Sequence, residues 1–279
     1  MGTLYLVATP IGNLEDMTYR AVRILKEVSL IAAEDTRNSI KLLNHFEIKT
    51  PMTSYHEHNK YEKADELMKK LMSGEDIAVI TDAGTPGISD PGEELVKKCY
   101  EIGISVVPVP GACAVVNGLV ASGQPTRRFA FEAFLPADKK ERRIILEELA
   151  KETRTMVIYE APHRLRKTLA ELIEYLGDRE LTVCKEITKK HETFFKTTIV
   201  HAEAYFGENE PKGEYLLVIK GKTHEEIAAE AIKKWENTDV CEHINMYINQ
   251  GMDKKEATKQ VAKDRGVSKR DIYEYAKLI

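Results

Sequence analysis

The 279-residue chain has four cysteines (Cys99, Cys113, Cys184 and Cys241), and no two share a CxxC spacing. That argues against a zinc-ligand set or a disulfide framework and suits a reducing, cytoplasmic setting. No apolar run reaches the length of a membrane span. The first residues run straight into a strand pattern with no signal-peptide layout. Leu6 stands where a myristoylation motif needs Ser or Thr. The net charge of −4 excludes general adhesion to nucleic acid but leaves room for a local basic patch. Common markers of chemistry are missing too. No G-x-G-x-x-G opens the first helix, and no G-x-x-x-x-G-K-[ST] or G-x-S-x-G occurs, which removes the usual dinucleotide, P-loop and serine-hydrolase readings. His56-Glu57-His58 puts two histidines at i and i+2, but no further His or Cys ligand lies nearby, so no metal is expected.

What is present is a 43% hydrophobic chain with short apolar runs alternating with amphipathic segments. Strands are expected at residues 4–8, 30–33, 52–55, 77–80 and 104–107. Helices are expected from near Thr18, after Arg37, at 60–72, from Glu93 and at 113–121. This alternation predicts a parallel sheet with helices on both faces. Residues 81–92, T-D-A-G-T-P-G-I-S-D-P-G, dominate the pattern. They follow the buried-strand run Ile77-Ala78-Val79-Ile80 and precede the acidic first turn of a helix. Twelve residues is long for such a connection, which usually runs about 2 to 6. Gly84, Gly87 and Gly92 permit close backbone approach and positive φ, Pro86 and Pro91 stiffen the loop, and Ser89 or Asp90 is placed to cap the helix. Ligands of open α/β sheets sit at this strand end. Four of the strands end in loops dense in Gly, Pro or charge, and those loops share one edge.

Gly123-Gln124-Pro125-Thr126 breaks the pattern, giving domains at 1–122, 123–222 and 223–279. In the second, strands are expected at 129–134, 155–159, 181–185 and 214–219, an antiparallel edge strand at 194–200, and helices at 139–151 and 165–176. The third is helical throughout: 225–235, 240–250, then 253–265, Gly266 and 268–278 as helix, turn, helix. From Asp253 onward there are eight Lys/Arg against five Asp/Glu, a small basic excess.

Seven motifs then arrive in order: V-A-T-P-I-G-N-L-E-D from Val7, A-E-D-T-R from Ala33, S-Y-H-E-H-N from Ser54, D-A-G-T-P-G-I-S-D-P-G from Asp82, V-P-G-A-C-A from Val109, E-A-P-H-R from Glu160 and G-E-Y-L-L-V-I from Gly213. On these the chain resembles the tetrapyrrole methylase superfamily, in its RNA-methylating branch. Ala133 stands where that family commonly has glycine, Cys113 where it has serine, and Thr81 where it has serine. The resemblance implies an α/β protein of two α/β domains with S-adenosylmethionine in the cleft between them, plus a small helix-turn-helix-like C-terminal domain. It implies 2′-O-methylation of a cytidine ribose in the decoding region of 16S rRNA on the small ribosomal subunit, by a homodimer. Cofactor contacts implied by motif are Pro10, Ile11, Gly12, Asp82, Ala83, Gly84, Thr85, Ile88, Gly111, Ala112, Tyr159, Gly213 and Glu214.

A weakly acidic ribose hydroxyl needs a base as it attacks. Strand-end candidates are Glu34, Asp35, His56, His58 and Glu160, with the Glu34-Asp35 pair first. Arg37, His56, His58, His163 and Arg164 are the candidates for holding RNA, arginine matching phosphate oxygens with its fork of donors. Lys139, Lys140, Arg142, Arg143 and the tail are further basic candidates. The rivals are a methyltransferase of the same fold acting on a porphyrinoid or a modified histidine, and a DNA-binding regulator using the C-terminal helices.

Overall fold

Ile77–Ile80 forms β4, and all four of its side chains are buried. Ile77 and Val79 join one core while Ala78 and Ile80 join another, as the two-residue period of a strand dictates. A strand apolar on both sides needs cover on both sides, which a parallel sheet between helix layers supplies. The computed structural model, which describes residues 1–279 apart from the side chain of Ala231, shows that arrangement. β1 (Thr3–Val7), β2 (Leu30–Ala33), β3 (Met52–Ser54) and β5 (Ser105–Val109) complete the order β3-β2-β4-β1-β5, every pair parallel. α1 (Tyr19–Glu27) and α2 (Thr36–His45) cover one face with Ala21, Ile24, Leu25 and Leu43. α3 (Lys60–Met72) and α4 (Gly92–Glu101) cover the other with Leu67, Leu71, Leu95 and Cys99.

The second sheet is mixed. β6 (Phe129–Phe134), β7 (Thr155–Glu160), β8 (Glu180–Lys185), β9 (Thr193–Thr198) and β10 (Tyr215–Ile219) lie in the order β6-β7-β10-β8-β9. β6 and β7 run parallel and the other pairs antiparallel, with β9 at the edge as expected. The edge strand stops at Thr198 rather than residue 200, because the Thr198 side chain accepts from the His201 N–H and opens α8 (Ile199–Glu208). This helix is absent from the sequence-based expectation. Its buried Ile199, Ala202 and Phe206 recur at helical spacing, but Ile199 and Val200 prolong the β-branched run before them. α6 (Lys139–Leu149), α7 (Pro162–Leu176) and α8 share one core with Met156, Ile158 and Leu217. α7 begins at Pro162 instead of residue 165; proline fits a first turn, where its missing N–H has no partner to lose. The opposite face is covered by α5 (Ala114–Ala121), whose Val115 and Leu119 meet Leu216 and Val218. Approach there is so close that a Cβ on Gly118 would stand 1.9 Å from Leu216 Cδ2.

Arg142 was a candidate for RNA docking, and the structure corrects this. It is 4% exposed, with Nη2 2.6 Å from Glu171 Oε2. It also donates to Thr168 Oγ1 at 2.7 Å and to the Leu135 and Pro136 carbonyls. A buried guanidinium needs its partners, and in the run K-K-E-R-R the helix turns this arginine inward. Arg142→Ala is expected to lower stability by roughly 2–4 kcal/mol, read from the urea midpoint. The figure stays below that of a sealed pair because Glu171 keeps some solvent and Lys167 at 3.6 Å.

Residues Ala150–Arg154 and Gly221–Ile279 form a second compact unit, distinct from the one holding both sheets. It contains α9 (His224–Lys233), α10 (Val240–Asn249), α11 (Lys254–Asp264) and α12 (Lys269–Ala276). Thr223 and Ser268 open α9 and α12 with capping boxes. Ile244, Ala257, Val261 and Ile272 form the core of α10–α12, and Gly266, at φ 61°, turns between α11 and α12. This is the expected helix-turn-helix. No helix among the described residues is long and apolar enough to cross a membrane.

Candidate active site

The loop after β4 is fixed at both ends. In its first half the Gly84 N–H donates to Thr9 O at 3.1 Å and the Thr9 N–H to Gly84 O at 2.9 Å, which ties the loop to the end of β1. Thr85 Oγ1 donates to Ala112 O at 3.1 Å, reaching the loop after β5. In its second half one carboxylate does the organising: Asp90 accepts from the N–H groups of Gly87, Ile88 and Gly92 at 2.7, 3.1 and 2.8 Å. Gly84 and Gly87 take φ of 85° and 87°, the left-handed region foreseen for them. Ser89 shares that region at 63°, a strained conformation that the Asp90 bonds on either side hold in place.

Above this loop lies a cavity of about 450 Å³, inside the usual range for small-molecule sites of about 300–1,000 Å³. Its apolar wall includes Ile11, Phe134, Tyr159, Ile187 and Leu216. Tyr159 packs edge-on to Phe131 with centroids 5.1 Å apart and lies 5.4 Å from Phe134. Burial pushes its phenol up to about 12, so it stays neutral. Phe134 follows Ala133, which sits at φ 50° where β6 slips register against β7; the need for positive φ is why glycine is favoured at that position. The polar wall is acidic: Glu34, Asp90, Glu160 and Glu214 line it, and no Lys or Arg does among the described residues.

Two adjacent carboxylates differ sharply. Asp35 caps α2 and holds Arg37 in a fork, accepting from Nε at 3.0 Å and Nη2 at 2.7 Å. Those bonds hold its carboxyl down at about 2. Glu34 is half-buried in the cavity wall and accepts only a 3.3 Å bond from the Asp82 N–H. Burial, with Asp82, Asp90 and Asp35 adding repulsion, raises its pKa above the ordinary 4.5. Glu160 ends β7 with its side chain fully buried; Thr168 Oγ1 and the Ala161 N–H donate to it, and Arg164 Nε lies 3.4 Å away.

Residues 3–203 match the family model described as Tetrapyrrole (Corrin/Porphyrin) Methylases. Over 98% of this chain and 93% of the relative, it is 51% identical to a Halalkalibacterium halodurans protein named Ribosomal RNA small subunit methyltransferase I. The chain belongs to the tetrapyrrole methylase family, in the ribosomal RNA small subunit methyltransferase I group. The Bacillus subtilis protein of the same name is 49% identical over 98% of this chain and 94% of its own. Solved structures of the fold include diphthine synthase, with a TM-score of 0.62 at 11% identity over 81% of this chain and 92% of that one. Another is a Thermus thermophilus uroporphyrin-III C-methyltransferase complexed with S-adenosyl homocysteine, with a TM-score of 0.53 at 23% identity over 78% of this chain and 97% of that one.

Of the cofactor candidates, Ile11, Ala83, Gly84, Thr85, Ile88, Tyr159 and Glu214 line this methylase's cavity, as does Glu34. Pro10, Gly12, Asp82, Gly111, Ala112 and Gly213 do not line it. The Gly111 Cα lies against Ala8, where a Cβ would stand 2.8 Å from the Ala8 Cβ. A Cβ on Gly12 would strike the Lys189 stem at 2.3 Å, and one on Gly213, at φ 86°, the Glu186 side chain at 2.7 Å. Lys189, which sequence reasoning missed, spans Glu186 at 3.0 Å and Glu214 at 2.9 Å. Nothing in the run Thr188-Lys189-Lys190 marks it apart from other surface lysines. Asp35, Arg37, His56, His58, His163 and Arg164 do not line the cavity. Arg37 is 88% exposed and paired with Asp35. The His56 and His58 rings meet each other at 5.9 Å, and the Arg164 guanidinium turns to the Leu135 carbonyl and Glu160. His163 is exposed on the first turn of α7.

Proposed function

We propose that this chain transfers a methyl group from S-adenosylmethionine to the ribose 2′-hydroxyl of a cytidine in the decoding region of 16S rRNA, on the small ribosomal subunit. The observation that supports the donor is the cavity wall. Its charged lining residues are all carboxylates; Glu160 and Glu214 have Arg164 and Lys189 as partners, while Glu34 and Asp90 have no cation partner among the described residues. Set against aromatic rings, this wall suits a ligand carrying sulfonium and ammonium charge better than a bare phosphate. The glycine loop leaves backbone groups free to approach it. Small-subunit ribosomal RNA as the acceptor is supported by the names of relatives that align over nearly the whole chain; the cytidine 2′-hydroxyl in the decoding region is what the resemblance of the motifs implies.

When bound, the cofactor would supply a methyl group made electrophilic by its sulfonium. The residues that would hold it are Gly84, Thr85 and Ile88 from the loop, with Ile11, Tyr159 and Glu214 across the cavity. Glu34 takes the hydroxyl proton as the oxygen commits to the methyl group. Its raised pKa narrows the gap to the hydroxyl, which favours general-base action. Asp35 is too firmly paired for that role. It holds Arg37 in position, and Arg37 is the group proposed to meet RNA phosphate beside the reacting sugar.

Mapping 2′-O-methyl marks on 16S rRNA from cells with and without the gene tests this reading. Loss of one cytidine mark is expected; an unchanged set of marks overturns it.

A further inference from the structure

We infer that the groove between α11 and α12 binds single-stranded segments of the ribosomal RNA, its phosphates on lysines and an unpaired base on Tyr273. This rests on the proposed function for the identity of the RNA. The groove has a volume of about 500 Å³ and is lined by Lys254, Lys255, Thr258, Lys269, Tyr273, Ala276 and Lys277. No other charged residue lines it among the described residues.

Three of those lysines, Lys254, Lys255 and Lys269, have no ion pair among the described residues. Lys277 pairs with Glu274 at 2.7 Å and stands 5.1 Å from the Tyr273 ring centroid. A solvated charge face of a helix is normally laced with opposite charges, and the same chain does this elsewhere: Lys60 with Glu57, Lys63 with Glu66, Lys98 with Asp65. Unpaired like charges converging on one groove repel each other unless a polyanion joins them. Tyr273 is 54% exposed among them. An aromatic ring flanked by ammonium groups is how sequence-tolerant single-strand sites are built, a base stacking on the ring while the backbone runs past the cations.

The requirement for such a site comes from the cavity. Its wall is acidic and has no lysine or arginine among the described residues, so it offers an RNA strand no phosphate contact. The chain as a whole carries a net charge of −4, so it offers no diffuse attraction either. Affinity for a polyanion has to be concentrated in a local basic surface, and the α11–α12 groove is one. The capping box at Ser268 and the buried Ile272 and Ala276 hold α12 against α11, so the lysine spacing is set by packed helices rather than by a loop.

The test uses the full chain and a labelled single-stranded fragment of 16S rRNA, with fluorescence anisotropy read across a salt series. The combined variant Lys254→Gln, Lys255→Gln and Lys269→Gln is expected to bind at least tenfold more weakly. Its slope of log K against log salt should flatten by about 2, the change expected when three lysines no longer neutralise phosphates of a single strand. Tyr273→Ala should weaken binding about fivefold or more while leaving the slope in place, since stacking is not ionic. All four side chains are exposed, so melting temperature and affinity for S-adenosylhomocysteine should hold, which separates interface loss from unfolding. Unchanged affinity and slope in the triple variant would overturn the inference, as would tighter binding of duplex DNA than of the RNA. The two readings fail separately. Normal methylation of small subunits with an unchanged KM in the triple variant removes the groove and keeps the activity. RNA binding that disappears with the lysines, but no methyl transfer by the native chain, keeps the groove and removes the activity.

Discussion

Glu34→Gln is expected to slow methyl transfer by about 10²–10⁴-fold, the range for loss of a positioned base, with affinity for S-adenosylhomocysteine retained. Glutamine keeps the size of the side chain and its acceptor oxygen toward the Asp82 N–H, and removes only the ability to take a proton. The pH dependence follows from the same group. In the native enzyme kcat/KM should fall in acid with a midpoint above the ordinary 4.5, because burial and three neighbouring carboxylates raise the Glu34 pKa; in the variant that limb should be lost. Stability should move the opposite way. A carboxyl whose folded-state pKa is raised contributes stability below its unfolded pKa, and that contribution is lost as pH rises through the folded value. Glu34→Gln should therefore gain in melting temperature relative to the native chain as pH rises through the Glu34 titration, the difference shrinking in acid. A simple packing residue would give the reverse on both counts. Asp35→Ala should behave differently from Glu34→Gln, because Asp35 acts through the start of α2 and the placement of Arg37.

Gly84→Val is expected to weaken binding of S-adenosylmethionine by about 10- to 100-fold or more. Gly84 sits at φ 85°, and a Cβ there would meet Ile11 Cγ2 at 3.3 Å and the Ala112 carbonyl oxygen at 3.7 Å. A β-branched residue in that backbone region carries strain of about 1–3 kcal/mol, and each 1.4 kcal/mol transmitted to the site is about tenfold in affinity. The loop can relieve it only by giving up the paired bonds between Gly84 and Thr9, which place the loop against the end of β1. Gly87→Ala is the control. Gly87 has nearly the same φ, 87°, but open space around its Cα. It should show the backbone strain without crowding the cavity, and so lose stability with a smaller effect on the cofactor.

Much of this was legible in the residues. The unbroken run Ile77-Ala78-Val79-Ile80 implied a strand covered on both faces, and it is. The spacing of Gly84 and Gly87 in an overlong loop implied left-handed backbone at a sheet edge, and both have it. Other features were not legible, each for a physical reason. Arg142 lies in a run of charged residues that reads as a solvated face; only the fold reveals Glu171 and Thr168 waiting for it. α8 was hidden because Ile199 and Val200 suit a strand as well as a helix, and the capping bond from Thr198 decided the matter. Glu34 and Asp35 are neighbours with the same functional group, so sequence gives them equal standing. Their roles separate because Asp35 reaches Arg37 at the start of α2 while Glu34 points into a half-buried, acidic wall. Lys189 shapes the cavity edge through contacts from residues far apart in the chain, which no local pattern encodes.

Isothermal titration of the purified chain with S-adenosylhomocysteine bears most directly on the acidic, glycine-lined cavity as the seat of the methyl donor. One saturable site per chain is expected, its heat greatly reduced in Gly84→Val and kept in Glu34→Gln. No binding to the native chain, or equal binding to Gly84→Val, would contradict it.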